Sequence, residues 1–256
     1  MPLRLCTDLL LVWYDYGFAS YLSEMINSFS KKTAVGSIAI LGCGWLGERI
    51  GKSFLEKGCI VKGSSRNEKR IEELYSFGFQ SFKIDIEELG SINHDFFDVD
   101  VLIVATTNKN KFAHQNLLKI ITSSHVKKIF FISSTSVYMP SVRPITVHSE
   151  LSDSPLIAIE KEYLKLENSV ILRCGGLIGD NRQPGNFFKK GATIKNPEAS
   201  VNIIHFKEVI VSINSLVEKT CEFRIYNLIE ESQLSRYEYY SKAYETLQGE
   251  SGEFVS

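Results

Sequence analysis

A chain of 256 residues with 44% hydrophobic and 23% charged residues is long enough to bury a substantial core in one or two domains. Its formal net charge of -1 comes from 29 basic and 30 acidic residues scattered along the chain, which argues against nucleic acid or an anionic membrane as a partner. The five cysteines are far apart and form no CxxC pair, so they indicate neither a disulfide framework nor a zinc site, and they favour a reducing cytoplasm.

The first 36 residues differ from the rest, and we interpret 1–36 as an N-terminal extension. The stretch CTDLLLVWYDYGFASYL is apolar enough to resemble part of a signal peptide, but Asp8 and Asp15 interrupt it and no small-residue cleavage site follows. A mispredicted start, a disordered tail and a helix docked on the surface are open alternatives for this segment.

From residue 37 onward, apolar runs that predict strands alternate with segments whose apolar residues recur every three or four positions, which predict helices. Because the runs are apolar without alternation, we expect strands covered on both faces, as in a parallel sheet and a doubly wound α/β fold. In chain order the predicted strands are 37–42, 59–64, 81–85, 99–106, 127–134, 169–175 and 223–229, and the predicted helices are 45–57, 67–77, 110–124, 156–168, 206–219 and 235–247.

The first predicted strand leads into Gly42, Gly44 and Gly47, which have the spacing GxGxxG. The first glycine permits a tight turn, the second lets the backbone approach a diphosphate, and the third allows close contact between strand and helix. A glycine turn of purely structural use is the alternative, but the strand before the motif and the helix after it favour dinucleotide binding. The amides expected to face the phosphates, at a helix N-terminus that favours anions, are those of Cys43, Gly44, Trp45 and Leu46.

The end of the second strand discriminates NAD from NADP. An acidic residue there would bind the ribose hydroxyls of NAD, but this chain has Ser64, Ser65 and Arg66. Hydroxyls and a guanidinium suit a 2'-phosphate, so the sequence favours NADP, with NAD also possible. A solvated basic turn is the structural alternative. Asp85, which closes the third strand, either accepts from the adenine amino group or caps a helix.

Turn-forming residues concentrate after residue 179, and this sets the expected organisation of the domain. We expect a single Rossmann-type domain over 37–256. Residues 37–178 would form its dinucleotide-binding core, and 179–256 would be mostly a substrate-binding portion.

The order of the motifs resembles that of the extended short-chain dehydrogenase/reductases, the NAD(P)-dependent epimerase/dehydratase family. The resemblance covers residues 37–247 and implies a Rossmann fold with a nicotinamide cofactor. The form GxGxxG, where most extended members have GxxGxxG, resembles an atypical subgroup. Besides the glycine motif, the resemblance is carried by VLIVATT (101–107), FFISSTSVY (130–138), ILRCGGLIGDNRQPG (171–185) and VNIIHFKEVI (201–210).

Position by position, the resemblance implies that Ala105 and Thr106 line the cofactor. Ser134 would occupy the position of the family's catalytic Ser/Thr, with Thr135 as a neighbouring substitute. The alternative is that these hydroxyls only satisfy backbone groups at the end of a strand. Tyr138 is interpreted as a packing residue.

The resemblance also places Arg182, Asn202 and His205 at the substrate cleft. Arg182 could bind an anionic substrate group and His205 could exchange a proton, whereas a surface arginine and a histidine bonded to local backbone are the alternatives. We predict no metal site, because no histidine clusters with Asp, Glu or Cys at ligand spacing.

The family's catalytic tyrosine and the lysine four residues later are missing. Residues four apart share a helix face, and an ammonium beside a phenol lowers its pKa toward the working pH. None of the 11 tyrosines has a lysine at the fourth following position. In the helix predicted at 156–168, the expected register places Ser154 and Ala158 at the two positions, with Lys161 and Tyr163 as surface and packing residues.

Two hypotheses follow. The first is an NADP-preferring oxidoreductase or epimerase-like enzyme that acts on an unknown small molecule through an atypical proton donor; the second is a catalytically silent dinucleotide sensor. The glycine motif supports both, the missing pair favours the sensor, and Ser134, Arg182 and His205 favour the enzyme. A methyltransferase on the same fold is less favoured, because no acidic residue follows the second strand. We expect a cytoplasmic protein, with its oligomeric state undetermined.

Overall fold

The computed structural model describes residues 34–249, apart from residues 89, 91, 144, 231 and 233, together with Phe254. The extension expected over 1–36 lies almost entirely outside the described residues.

Seven parallel strands form the central sheet, in the order β3-β2-β1-β4-β5-β6-β9, and β7 pairs with β8 in a separate two-stranded parallel sheet. The predicted doubly wound α/β fold is therefore confirmed. In chain order the strands are β1 (Ser37–Leu41), β2 (Ile60–Ser65), β3 (Gln80–Lys83), β4 (Val101–Val104), β5 (Lys128–Ser134), β6 (Ser169–Cys174), β7 (Gly176–Ile178), β8 (Ile203–His205) and β9 (Ile225–Leu228).

All six predicted helices are present in the described chain. Their bounds are α1 (Trp45–Glu56), α2 (Glu68–Ser76), α3 (Lys111–Thr122), α4 (Pro155–Tyr163), α5 (Phe206–Glu218) and α6 (Arg236–Gln248).

The sequence placed the end of α4 at residue 168, which was wrong, because the helix ends at Tyr163. The Ser169 hydroxyl donates to the Tyr163 carbonyl, and Arg224 donates to the Leu164 carbonyl at 3.1 Å, so side chains take the carbonyls that further helical turns would use.

The sequence did not predict β7 and β8. Each has only three residues, which is too short for a periodic pattern, and Gly176 opens the first of them. The two strands exist because they pair with each other, with Gly176 opposite Ile203 and Ile178 opposite His205.

Helices cover both faces of the sheet. Ile38 and Ile40 of β1 belong to the core shared with α1 and α5, whereas Ala39 and Leu41 belong to the core shared with α3 and α4. Successive strand residues point to opposite faces, and here both faces are buried. This explains why the strand sequences are apolar without alternation.

A buried histidine ties the segment after β4 to α4. His114 is fully buried on α3, with Nδ1 3.0 Å from the Tyr163 hydroxyl oxygen and Nε2 3.1 Å from the Asn108 carbonyl oxygen. Because a carbonyl can only accept, Nε2 carries the proton and Nδ1 accepts from the tyrosine. Burial lowers the pKa of His114, so the neutral imidazole holds this segment in place.

Protonation of His114 is expected to destabilise the fold. The unfolded chain takes up a proton near pH 6.5, the ordinary pKa of the group, whereas the folded pKa is lower. The free energy of unfolding should therefore fall as the pH decreases from about 6.5 through the folded pKa. Urea titrations across this range should show the stability difference between wild type and His114→Gln narrowing at acid pH. A difference that stays constant with pH would contradict the assignment.

Candidate cofactor and substrate site

A cavity of about 530 Å³ opens at the carboxyl ends of β1, β2 and β4. These strands are parallel neighbours, so the loops that follow them meet at one edge of the sheet. Residues predicted for the cofactor that line this cavity are Gly42, Cys43, Gly44, Ser65, Arg66, Asp85, Ala105 and Thr106.

The three glycines of the motif have different surroundings. Gly42 has φ of +92°, and a Cβ there would lie 3.0 Å from the backbone of Thr106. A Cβ on Gly47 would lie 2.6 Å from the Gly42 carbonyl oxygen, so the strand and α1 could not approach each other as they do. Gly44 has no atom within 4 Å of its Cβ position, and it begins α1 without a side-chain cap. Open space therefore lies next to uncapped helix amides.

The loop uses two of the four amides expected to face phosphates. Cys43 N donates to the Ser64 carbonyl at 2.8 Å, and Gly44 N donates to the Gly42 carbonyl at 2.9 Å. The amides of Trp45 and Leu46 lie in the first turn of α1, where no intrahelical acceptor exists. Of the four amides, those of Trp45 and Leu46 are therefore the two for which the described residues supply no backbone acceptor.

Arg70 is a site residue that the sequence reading missed. Its Nε donates to the Cys43 carbonyl at 3.0 Å, and its other nitrogens bond to the carboxylates of Glu73, at 2.9 Å, and Glu48. Burial opposes ionisation of Glu48, but the bonds from Lys52 and Arg70 outweigh it and lower the pKa of Glu48. Two carboxylates offset the Arg70 charge, so this residue positions the loop. Its sequence signal was a second arginine, one helical turn after Arg66.

The basic corner predicted for a 2'-phosphate lies on the cavity wall, where Ser65, Arg66 and Lys69 contribute. Arg66 Nη1 is 3.7 Å from Asp85 Oδ2, and its side chain is 70% exposed. Ser64, grouped with these residues in the sequence, is buried, and its hydroxyl accepts from the Gly42 amide at 3.1 Å. Ser64 therefore belongs to the glycine loop.

Asp85 forms a turn. Its Oδ1 accepts from the Glu87 amide at 3.0 Å, and its other oxygen faces Arg66. The turn contact is the structural counterpart of the helix cap considered from sequence, although no helix follows it directly.

Ala105 and Thr106 form the wall after β4. Ala105 N continues the β1 ladder by donating to the Leu41 carbonyl at 2.8 Å, and the Thr106 hydroxyl accepts from the Asn108 amide at 3.2 Å. Both residues line the cavity.

The hydroxyls after β5 satisfy local backbone. The Ser134 hydroxyl accepts from Ser136 N at 3.1 Å and caps a short 3-10 helix over Thr135–Val137. Thr135 is buried. The geometry expected for a purely structural role is thus present; among the described residues the Ser134 hydroxyl accepts this bond and donates none.

A buried polar network, which the sequence did not indicate, lies behind Ser134. Arg173 Nη2 donates to Glu160 Oε2 at 2.6 Å, and the Ser133 hydroxyl donates to Glu160 Oε1 at 2.5 Å. Arg173 Nη1 donates to the Tyr138 oxygen, and the Tyr138 hydroxyl donates to Asn227 Oδ1, both at 2.7 Å. All five side chains are buried. Tyr138 is therefore a packing residue, as predicted, but a hydrogen-bonded one.

Arg182 lies beside the first turn of α1. Its Cζ is 5.0 Å from the centre of the Trp45 ring, and the Trp45 indole donates to Asn181 Oδ1 at 2.8 Å. The residue assigned to substrate by resemblance is therefore next to the glycine motif.

His205 caps α5. Its Nδ1 accepts from the Lys207 amide at 3.2 Å, so the proton of the neutral ring is on Nε2. Burial and Lys207 lower the pKa of His205, against the opposite influence of Asp180. The backbone carbonyl of Asn202 accepts a hydrogen bond from Gly176 N at 2.8 Å.

The structure does not join the predicted catalytic and substrate residues into one hydrogen-bonded group. Within the described part of the chain, no hydrogen bond or ion pair connects Ser134, Arg182 and His205 with one another. In that part of the chain, Arg182 and His205 are linked only through Gly179, which bonds to the Arg182 backbone and packs against the His205 ring, and none of the three residues lines the cavity.

Helix α4 is the one that the resemblance implies should carry the Tyr/Lys pair, and its side chains are buried or exposed as the sequence predicted. Ser154 caps α4 by accepting from Leu156 N at 3.4 Å, and Ala158 lies within the helix. Tyr163 is fully buried and Lys161 is exposed, which confirms their interpretation as packing and surface residues.

The described residues offer neither a cluster of metal ligands nor a membrane-spanning helix. No three His, Cys, Asp or Glu side chains come together as a possible metal site. No helix in residues 34–249, with the stated gaps, has the length and apolar character needed to cross a bilayer.

Known proteins resemble this chain in sequence and in fold. No family model matches the chain. Protein YeeZ of Escherichia coli strain K12 is 29% identical over 222 residues, which are 79% of this chain and 81% of YeeZ. An epimerase from Methanothermobacter thermautotrophicus superposes with a TM-score of 0.71 at 13% identity, covering 92% of this chain and 83% of the epimerase.

A further solved structure is the UDP-glucuronic acid 4-epimerase from Bacillus cereus in complex with UDP-glucuronic acid and NAD. It superposes with a TM-score of 0.68 at 16% identity, covering 86% of this chain and 85% of that enzyme. The chain thus has the Rossmann-like fold found in NAD-dependent epimerases.

Breaking the buried ion pair is expected to destabilise the protein strongly. Glu160→Gln leaves the Arg173 guanidinium buried beside a neutral amide, which should lower the free energy of unfolding by about 3 kcal/mol. The double variant Glu160→Leu/Arg173→Met should be more stable than Glu160→Gln, because no unpaired charge remains. Urea unfolding measures both, with Glu68→Gln at the exposed Lys83 pair as a control expected to leave the midpoint unchanged. A Glu160→Gln midpoint equal to wild type would contradict this view.

Proposed function

We propose that the cavity binds NADP(H) and that the protein is a cytoplasmic NAD(P)-binding, epimerase-like oxidoreductase acting on a small molecule. The observation that carries the proposal is the open space at Gly44, directly before the uncapped N-terminus of α1 and inside the cavity. A phosphate in that space would receive the amides of Trp45 and Leu46 and the favourable end of the helix dipole.

The remaining cavity wall fits the rest of the dinucleotide. Ala105 and Thr106 would line the cofactor, and Ser65 and Arg66 would meet the 2'-phosphate. Asp85 would accept from the adenine amino group, and Arg66 lies 3.7 Å from it on the same wall. The absence of an acidic residue at the end of β2, where Ser65 and Arg66 stand, supports NADP over NAD.

The bound nicotinamide would supply a reversible hydride acceptor, and the protein would have to manage the proton. We assign proton transfer to Ser134 and His205, with Thr135 as a substitute donor, because Tyr138 is committed to Arg173 and Asn227. The neutral His205 ring carries a proton on Nε2 that it can exchange. Arg182 and Asn202 are assigned to the substrate side, within a portion spanning 179–256 that completes the core of 37–178.

A dinucleotide sensor without turnover is the second candidate. Two observations favour it: the sequence has no Tyr/Lys pair at helical spacing, and the buried Glu160–Arg173 network occupies the Tyr138 hydroxyl. Incubating the protein with NADPH and a panel of carbonyl compounds and nucleotide sugars separates the two. Turnover supports the enzyme, and firm binding without turnover supports the sensor.

Gly44→Ala is expected to abolish cofactor binding without harming the fold. The new methyl group meets no atom within 4 Å apart from its chain neighbours, and the backbone at Gly44 is extended with negative φ (φ -76°, ψ -153°). Because alanine is a poorer N-cap than glycine, the melting temperature should fall only slightly. The methyl group fills the proposed phosphate space, so NADPH affinity should fall by about tenfold or more, as calorimetry would show. Gly47→Ala is the contrast, because its Cβ would meet the Gly42 carbonyl at 2.6 Å and should destabilise the protein. Unchanged NADPH affinity in Gly44→Ala would reject the site.

Arg66→Ala is expected to remove the preference for NADPH over NADH. Loss of a guanidinium facing the 2'-phosphate should weaken NADPH by about tenfold and leave NADH nearly unchanged. Lys119→Ala, an exposed position on α3 outside the cavity, makes the same change in net charge and controls for general electrostatics. Equal affinities of the wild type for the two cofactors would refute the specificity.

A further inference from the structure

A short turn reaches from the C-terminal portion of the chain to the first turn of α1. It spans residues 179–182, and we call it the clasp. Gly179 N donates to the Arg182 carbonyl at 3.1 Å and Arg182 N to the Gly179 carbonyl at 2.9 Å, so the clasp closes on itself. Its base is packed tightly, since a Cβ on Gly179 would lie 2.5 Å from His205 Nε2.

The side chains of the clasp hold two residues of α1. Trp45 Nε1 donates to Asn181 Oδ1 at 2.8 Å, and Arg49 donates to Asp180 Oδ2 through Nε at 2.9 Å and Nη2 at 2.8 Å. The guanidinium carbons of Arg49 and Arg182 lie 4.3 and 5.0 Å from the centre of the Trp45 ring. The indole is therefore held by one hydrogen bond and two cations.

The clasp lies against the residue whose amide would meet the diphosphate. Trp45 is the first residue of α1, and Arg49 also holds its carbonyl, by donating from Nη1 at 2.8 Å. Arg182 is thereby kept next to the first turn of α1. Among the described residues, no carboxylate forms an ion pair with it. The first turn of α1 thus has the glycine loop before it and a guanidinium beside it.

We propose that the clasp closes over the diphosphate of bound NADP(H), with Arg182 beside the phosphates in place of the substrate contact assigned to it above, and slows release of the cofactor. This inference rests on the proposed function, because it presumes that a dinucleotide occupies the cavity. It couples the C-terminal portion of the chain to the cofactor site.

The contacts of the clasp allow it to open. The Arg49 and Asp180 side chains are 21% and 51% exposed, and ion pairs at such positions are weak. Asp180 also has φ of +46°, a conformation that is uncommon for residues other than glycine, and it is retained by its bonds to Arg49 and Gln183. An element held by exposed bonds against backbone strain can admit the ligand and then close again.

The double variant Asp180→Ala/Asn181→Ala tests the clasp by removing both anchors to α1. It is made in a Trp13→Phe background, because the chain has 2 tryptophans and Trp45 then emits alone. We expect acrylamide to quench Trp45 more strongly in the double variant, and NADPH to dissociate about tenfold faster in stopped-flow measurements. A second variant, Arg182→Gln, keeps both anchors and should release NADPH faster with little change in melting temperature.

Asn186→Ala/Glu198→Ala is the matched control, since it removes an amide and a carboxylate from exposed positions of the same portion of the chain. We expect it to match the parent in quenching and release. Equal acceleration in this control would overturn the clasp, because general loosening would then explain the effect. Parent-like release in both test variants would overturn the clasp and leave the dinucleotide site standing, whereas failure of the parent to bind NADPH would overturn the proposed function and the clasp with it.

Discussion

Hydrogen bonds to Ser64 hold the turn after β1, the turn that leads into the uncapped N-terminus of α1. Ser64 accepts from the amide of Gly42 through its hydroxyl and from the amide of Cys43 through its carbonyl. Arg70 completes the arrangement by donating to the Cys43 carbonyl. These contacts come from β2 and α2, so the loop is organised before any ligand arrives. A pre-organised loop loses little conformational entropy on binding, which is a requirement for tight capture of a flexible dinucleotide.

The cavity wall that follows β4 depends on contacts in the buried core. Gly42 lies against the backbone of Thr106, so the wall after β4 must be positioned as accurately as the glycine loop. That wall is anchored through the Asn108 carbonyl to His114, which is itself bonded to Tyr163. A neutral histidine deep in the core therefore supports the cavity wall directly, through its bond to the lining residue Asn108.

The two halves of the site differ in how they are built. The cofactor half has a cavity, an uncapped helix and basic residues at its margin. Behind the other half, Glu160 and Arg173 form a buried ion pair that uses the hydroxyls of Ser133 and Tyr138. A hydroxyl committed to a buried guanidinium is poorly placed to move protons for a substrate. The proposed binding of a cofactor and the proposed catalysis therefore depend on different parts of the structure.

The amino-acid sequence by itself determined the seven strands of the main sheet, the six helices, their order and the glycine motif, because hydrophobic periodicity and glycine spacing are local properties of the chain. The bonds of Arg70, the Glu160–Arg173 pair and the contact of Arg182 with Trp45 were decided only by the tertiary structure. A polar side chain can bond to any complementary group that the fold brings within about 3 Å, and residues distant in sequence offer many such groups. The apolar pattern specifies which face of an element is buried, but only the packed arrangement selects the partner of each buried charge.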